Sequence, residues 1–162
     1  MRTLPELLRR RDALALQAQL APQRPRLPLL LNAQPIGSAE PVVFSALQAA
    51  FVGQSAFSLR HEIPGTSDAV CNGGRWRLSG EPAPTLAFAA QALHRAGFAG
   101  HWRHELLTVT DDAGLAVGPI ERAATRALGI ATHAVHLVGF TPTGQMWLQQ
   151  RALTKPNDPG LW

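Results

Sequence analysis

The segment LPLLLNAQPIGSAEPVVFSALQAA, residues 27–50, combines the patterns that decide the fold. Its apolar run Leu27–Leu31 ends in Asn-Ala-Gln-Pro, which predicts a short strand that enters a turn, and residues 36–39 are expected to return as its partner. Residues 41–50 predict a helix, because Pro41 falls in the first turn, where its missing N–H costs no hydrogen bond. A strand pair followed directly by a helix indicates a domain that mixes both kinds of element.

The rest of the chain predicts further short helices and strands. Apolar residues recur at helical spacing from Leu4 to about Leu20, and Thr85 is expected to cap a helix that ends near Ala96, before Gly97. The other predicted elements are strands at 75–78, 102–110, 133–140 and 145–150, a short helix at 120–128, and turns at 111–114 and 141–144. We therefore expect an α+β fold, with a small mixed α/β N-terminal domain over residues 1–130 and a second region over residues 131–162.

The composition is that of a globular protein. The chain has 162 residues, of which 46% are hydrophobic and 16% charged, enough for one domain or one domain plus part of another. Its net charge is +4. All of its basic residues except Lys155 are arginines, and these are scattered along the sequence apart from Arg9–Arg11. A nucleic-acid-binding surface usually concentrates its cations on one face, so the arrangement argues against a nucleic-acid partner.

Cysteine content and apolar runs predict the compartment. The single cysteine, Cys71, excludes an internal disulfide, which fits a reducing cytoplasm. The N-terminus has no apolar run followed by a cleavage site, and no apolar run approaches the roughly 20 residues that span a bilayer. We expect a cytoplasmic protein without a membrane partner.

Several residues of catalytic or metal-binding type favour ordinary structural roles. The pairs His101/His104 and His133/His136 fall in predicted strands, where residues three apart point to opposite faces, so a metal site is not expected at either pair. Residues 72–74, Asn-Gly-Gly, favour a tight turn over a phosphate-binding loop, because such a loop follows a strand and leads into a helix and this segment lacks that context.

Charged residues near the predicted hairpin are the better candidates for a site. Arg151 and Lys155 follow the predicted strand at 145–150, and a planar guanidinium beside an ammonium suits a diphosphate. On that strand Trp147, Gln149 and Arg151 would share one face, so Trp147 either stacks on a heteroaromatic ring or belongs to the core. Glu121-Arg122 is interpreted as a favourable charge at a helix start with an exposed arginine.

From about residue 100 the sequence resembles a group of Nudix hydrolases that carry an N-terminal domain of unknown function, associated with thiamine metabolism. The matching residues are Trp102, Arg103 and Glu105, Ile120 to Ala124, Val135 to Leu137 and Gly139, and Trp147, Arg151, Lys155, Pro159 and Gly160. The sequence departs from the pattern at Gln150, where an arginine is usual, and at His104, where an asparagine is common.

The resemblance implies a magnesium-dependent diphosphatase. Such enzymes cleave a diphosphate linkage with Mg²⁺ held by a cluster of glutamates, and in this group the substrate is damaged thiamine diphosphate or a nucleoside diphosphate derivative. It also implies that residues 131–162 begin a Nudix α/β/α sandwich with its first β-hairpin, and that Arg151, Lys155, Gln149 and Trp147 face the substrate.

The glutamate cluster does not occur in these residues, whose eleven acidic side chains are dispersed. We therefore expect this chain to be the inactive front part of such an enzyme, with exposed sheet edges that favour self-association. The alternative is a non-catalytic module that binds an acidic partner or RNA through its arginines.

Overall fold

The computed structural model describes residues 4–18, 24–63, 74–135, 137–155 and 159–161. The chain divides into two compact units, Met1–Thr132 and His133–Trp162. Cys71, Asn72 and Gly73 lie outside the described residues, and so does His136.

Within the described residues, the α+β class predicted from the sequence is confirmed, with four helices, a mixed four-stranded sheet and a two-stranded hairpin. The helices are α1 (Leu4–Ala18), α2 (Pro41–Phe51), α3 (Pro82–Arg95) and α4 (Arg122–Thr125). The strands are β1 (Leu27–Leu31), β2 (Gln34–Ala39), β3 (Ser58–Glu62), β4 (Arg75–Ser79), β5 (Leu106–Thr110) and β6 (Ala116–Glu121).

The four-stranded sheet has the order β2-β1-β4-β3 and is built around the opening segment. Strands β1 and β2 form the predicted antiparallel pair, β1 runs parallel to β4, and β4 is antiparallel to β3. Asn32 makes the β1–β2 turn with a φ of 55°, which asparagine adopts more readily than most residues. Its side-chain amide donates to the carbonyl of Gly80, which follows β4, and so fastens the turn to the central parallel strands.

The core of the first unit lies where α2 and α3 meet each other and the strands. Apolar residues at helical spacing bury one face of each helix, since water leaves that surface on folding. Phe44 of α2 stacks on Trp76 of β4 with ring centroids 4.9 Å apart. The largest fully buried apolar side chains are Leu29, Leu31, Phe44, Leu47, Leu78, Leu86, Leu93, Val109, Ile120 and Leu128.

The predicted boundaries of α3 and of the short helix were wrong. Helix α3 begins at Pro82 with Glu81 as its N-cap, and Thr85 lies inside it, donating its hydroxyl to the Glu81 carbonyl at 2.6 Å. Proline sets the helical φ of the first turn, so Pro82 starts the helix earlier than the threonine pattern indicates. Ile120 and Glu121 end strand β6, paired with Leu107 and Leu106, so that only Arg122–Thr125 are helical.

Two further differences concern strands. Residues 102–105, predicted to open a strand, form a loop, and β5 begins at Leu106. Strand β3 was not predicted, because its sequence SLRHE carries a single large apolar residue, Leu59. It is held by antiparallel pairing with β4, a contact distant in sequence that no local pattern encodes.

In the second unit the predicted turn is confirmed, but the predicted strands are not. Thr141–Gly144 reverses the chain, with Gly144 at a φ of 81° and the Thr141 N–H donating to the Gln145 carbonyl. Among the described residues of 133–150 the strand pairing is limited to one bridge, Phe140 with Met146. Two strands alone are marginal in water, and the described residues supply no third.

Candidate functional site

The four residues predicted to contact substrate all lie exposed in the second unit. They are Trp147, Gln149, Arg151 and Lys155. Because residues 145–150 form no strand, the shared face assumed for Trp147, Gln149 and Arg151 does not exist here. The Trp147 side chain is 72% exposed, so within the described residues it does not form part of a core, and its backbone N–H donates to the Gly139 carbonyl at 2.9 Å.

A closed loop holds Arg151 and Lys155. The Arg151 N–H donates to the Leu161 carbonyl at 2.8 Å, and the Gly160 N–H donates to the Arg151 carbonyl at 3.0 Å. Gln150, where the Nudix pattern usually has arginine, donates its side-chain amide to the Gly160 carbonyl at 3.0 Å. The backbone of Arg151 is therefore fixed, and a role of its guanidinium on phosphate stays a prediction.

The described histidines do not form a metal site. His101 and His104 lie in the loop between α3 and β5, not in the strand expected for them, and His133 is exposed in the second unit. Across the described ranges no three histidine, cysteine or acidic residues come together at metal-binding distance. The resemblance assigns Mg²⁺ to a glutamate cluster that does not occur in these residues, so we derive no step through the metal.

Two of the segments that carry the resemblance meet in the first unit. The N–H of Arg103 donates to Oε1 of Glu121 at 3.2 Å. The Arg122 guanidinium donates to both carboxylate oxygens of Glu105, at 2.8 and 3.0 Å, and the Arg122 N–H donates to the Glu105 carbonyl. The loop before β5 is thereby tied to the junction of β6 and α4.

This junction lines a pocket of about 610 Å³ that sequence reasoning did not find. Its walls are small and apolar side chains of α3 and of the β5–β6 hairpin, together with Trp102. Glu121 is buried, with 4% of its surface exposed, and Glu81 stands exposed at the rim. The predicted position of Glu121 at a helix start is confirmed, since Glu121 ends β6 and is the N-cap of α4, but its burial was not predicted.

A second pocket, of about 580 Å³, collects arginines of the first unit. Arg24, Arg26 and Arg126 line it, with Glu40 as its acidic residue. Arg26 is already engaged: Nε donates to the Ser38 hydroxyl at 3.1 Å, and Nη2 donates to the carbonyls of Ser38 and Ala127. Arg24 lies 3.5 Å from Glu40 in an exposed pair, so Arg24 and Arg126 are the cations that face solvent there.

The sheet also carries an ion-pair network. Arg77 and Arg75 both donate to the carboxylate of Glu62 across β3 and β4. These hydrogen bonds, with that of Arg77 the larger influence, lower the pKa of Glu62 from 4.5 to about 2. The network joins neighbouring strands and adjoins neither pocket, so we assign it to the fold.

Comparison with known proteins leaves the family of the chain open. No protein-family model matches the sequence, and no curated protein matches it. Among the described residues, no helix has the length and apolar character needed to cross a bilayer.

Proposed function

We propose that the chain is part of a Nudix-type hydrolase of a diphosphate linkage, in which residues 1–132 form an accessory domain and residues from 133 onward begin the hydrolase domain. The observation that carries the proposal is the apolar surface of the second unit. Val135 and Leu137 are 98% and 100% exposed, and Phe140 and Leu148 are also exposed. Apolar side chains in a contiguous stretch require cover, which the sheet of a Nudix sandwich would supply.

The backbone at His104 supports the resemblance independently. Its φ is 56°, a left-handed conformation that asparagine, aspartate and histidine adopt more readily than other residues. The Nudix group commonly has asparagine at this position, so the departure preserves the backbone requirement.

In the proposed enzyme Arg151 and Lys155 contact the diphosphate. A guanidinium can bond two phosphate oxygens at once, and an ammonium adds a point charge, so the pair favours a dianionic group. Trp147 would stack on the ring of the substrate, either damaged thiamine diphosphate or a nucleoside diphosphate derivative, and Gln149 would lie beside it. The catalytic Mg²⁺ would be bound by glutamates that these 162 residues do not supply.

The test has two parts. The gene that encodes these residues should also encode a glutamate cluster C-terminal to them, and a gene without one would contradict the proposal. With Mg²⁺, the 162-residue chain should release neither phosphate from thiamine diphosphate nor AMP and ribose 5-phosphate from ADP-ribose. Turnover by the chain alone would show that the catalytic residues had been misplaced.

A second candidate, a module that binds an acidic partner such as RNA, is favoured by the arginine pocket. Arg24 and Arg126 present two cations at one concave surface. Binding of RNA through such cations weakens steeply with salt because counterions are released. Arg126→Ala should then reduce both the affinity and the salt dependence, and Arg95→Ala, on the exposed end of α3, serves as the matched control. Absence of RNA binding at 50 mM salt would remove this candidate.

A further inference from the structure

The pocket beside Trp102 has the size and lining of a small-molecule site. Its volume of about 610 Å³ lies within the range of ligand pockets, roughly 300–1,000 Å³. Ala83, Ala87 and Ala90 of α3 form one apolar wall, and Leu106 and Pro119 of the hairpin form the other. Short side chains on α3 keep the pocket open.

The carboxylates that line the pocket have no lysine or arginine beside them in its lining. They are those of Glu81 and Glu121, although the chain as a whole carries a net charge of +4. The pocket therefore concentrates negative potential in an otherwise basic protein. A ligand with a positive charge complements it.

Glu121 is the residue that points to a specific ligand group. It is 96% buried, since only 4% of its surface is exposed, and its Oε1 accepts one hydrogen bond from the Arg103 N–H. Among the described residues no donor reaches its Oε2, and that atom is not closed off from solvent, so it is open to a ligand. A charged N–H group of a ligand in the pocket could donate to Oε2 in place of water, and such a charge-assisted hydrogen bond is stronger than one between neutral groups.

Trp102 supplies an aromatic surface next to this carboxylate. Its ring lies 4.8 Å from that of His94 and 6.4 Å, edge to face, from that of His104. Both imidazoles therefore contact the indole, and His104 has a left-handed backbone conformation. An indole face beside a carboxylate attracts an organic cation through its quadrupole.

We propose that this pocket binds a small aromatic amine or guanidine, with the cationic nitrogen on Glu121 and the apolar part between Trp102 and the alanines of α3. The site lies wholly within the first unit and does not depend on the proposed diphosphate hydrolysis. The proposal can thus stand or fall separately from it.

The test is a titration of the full chain at pH 8 with benzylamine and benzylguanidine, followed by the indole N–H resonance of Trp102. We expect saturable shifts with a Kd on the order of 1 mM or tighter, and at least about tenfold weaker binding of the neutral isostere benzyl alcohol. Equal binding of amine and alcohol, or no saturable shift, would overturn the proposal. Tighter binding of a capped lysine tripeptide than of benzylamine would overturn the assignment to a small aromatic amine.

Three variants separate the site from general effects. Glu121→Gln should weaken benzylamine binding at least about tenfold, the cost of losing a charge-assisted hydrogen bond. Ala87→Arg changes an exposed helix residue, leaves the fold intact and places a competing cation in the pocket, so it should also abolish binding. Asp112→Asn, in the β5–β6 turn outside the pocket, should bind as the unaltered chain does. Unchanged affinity in Ala87→Arg would refute the location, even if Glu121→Gln failed to fold.

Discussion

Replacement of Arg26 by alanine should destabilise the first unit by about 2 kcal/mol. The side chain joins β2 to the turn after α4 through three hydrogen bonds, to the Ser38 hydroxyl and to the carbonyls of Ser38 and Ala127. Alanine removes the donors and leaves these acceptors facing a gap.

The magnitude follows from those contacts. A hydrogen bond with a charged partner contributes roughly 1.5–3 kcal/mol in mutational series. Arg26 is half-buried, so water can replace part of what is lost, and the total should stay near the lower end of that range. For a unit of this size, about 2 kcal/mol corresponds to a fall in Tm of about 8 °C.

The assay is urea unfolding of the full chain, followed by tryptophan fluorescence and circular dichroism. Arg26→Lys keeps the charge but cannot span three acceptors, so it should fall between alanine and the natural residue. Arg24→Ala, whose pair with Glu40 is long and exposed, should change stability by less than about 0.5 kcal/mol. If Arg26→Ala were no more destabilising than Arg24→Ala, the bridging role assigned to Arg26 would be wrong.

Three further predictions concern pH, packing and association. Because the pKa of Glu62 is about 2 in the folded chain and 4.5 when unperturbed, its stabilising contribution is complete above pH 4.5 and is lost as the pH falls toward 2; Glu62→Gln should flatten the pH dependence of the unfolding free energy in that window, and an unchanged profile would refute the pairing. Gly37→Ala should lower the free energy of unfolding by about 1–3 kcal/mol, because its Cβ would meet the carbonyl oxygen of Leu128. Gly53→Ala is the comparison in the same unfolding assay: its added methyl meets open space, and any loss of stability there comes from the backbone, whose φ is 78°. The exposed apolar side chains of the second unit, among them Val135, Leu137, Phe140 and Leu148, should bind a hydrophobic dye and make the sedimentation coefficient rise with protein concentration. A monomer that binds no dye would contradict the self-association expected from that surface.

The sequence predicted those parts of the fold that local patterns determine. Leu27–Leu31, its returning partner and the helix from Pro41 were all predicted, because an apolar run, a turn and an N-terminal proline are encoded within a few residues. Strand β3 was not, since SLRHE gains its structure from pairing with β4 at a distance in sequence. The strands predicted at 133–140 and 145–150 have strong alternating patterns, yet a strand also needs paired neighbours, and among the described residues the pairing there is limited to the bridge of Phe140 with Met146.

The candidate site residues also divide into those that the sequence indicates and those whose surroundings form only on folding. Arg151 and Lys155 were singled out by residue type and by the resemblance, neither of which requires a contact in three dimensions. Glu121 was interpreted as a helix-start charge because nothing in Ile-Glu-Arg-Ala-Ala indicates burial. Its environment is created by α3 and by the loop that holds Trp102, segments that come together only after folding.

The most direct measurement of the proposed function is Mg²⁺-dependent diphosphate hydrolysis by the product of the complete reading frame that contains these residues. With Arg151→Ala and Lys155→Ala, the account predicts that KM for the diphosphate substrate rises at least about tenfold each, as expected for loss of a charged phosphate contact, while Arg95→Ala leaves it unchanged. A product without Mg²⁺-dependent activity, or one whose KM is indifferent to both substitutions, would contradict it.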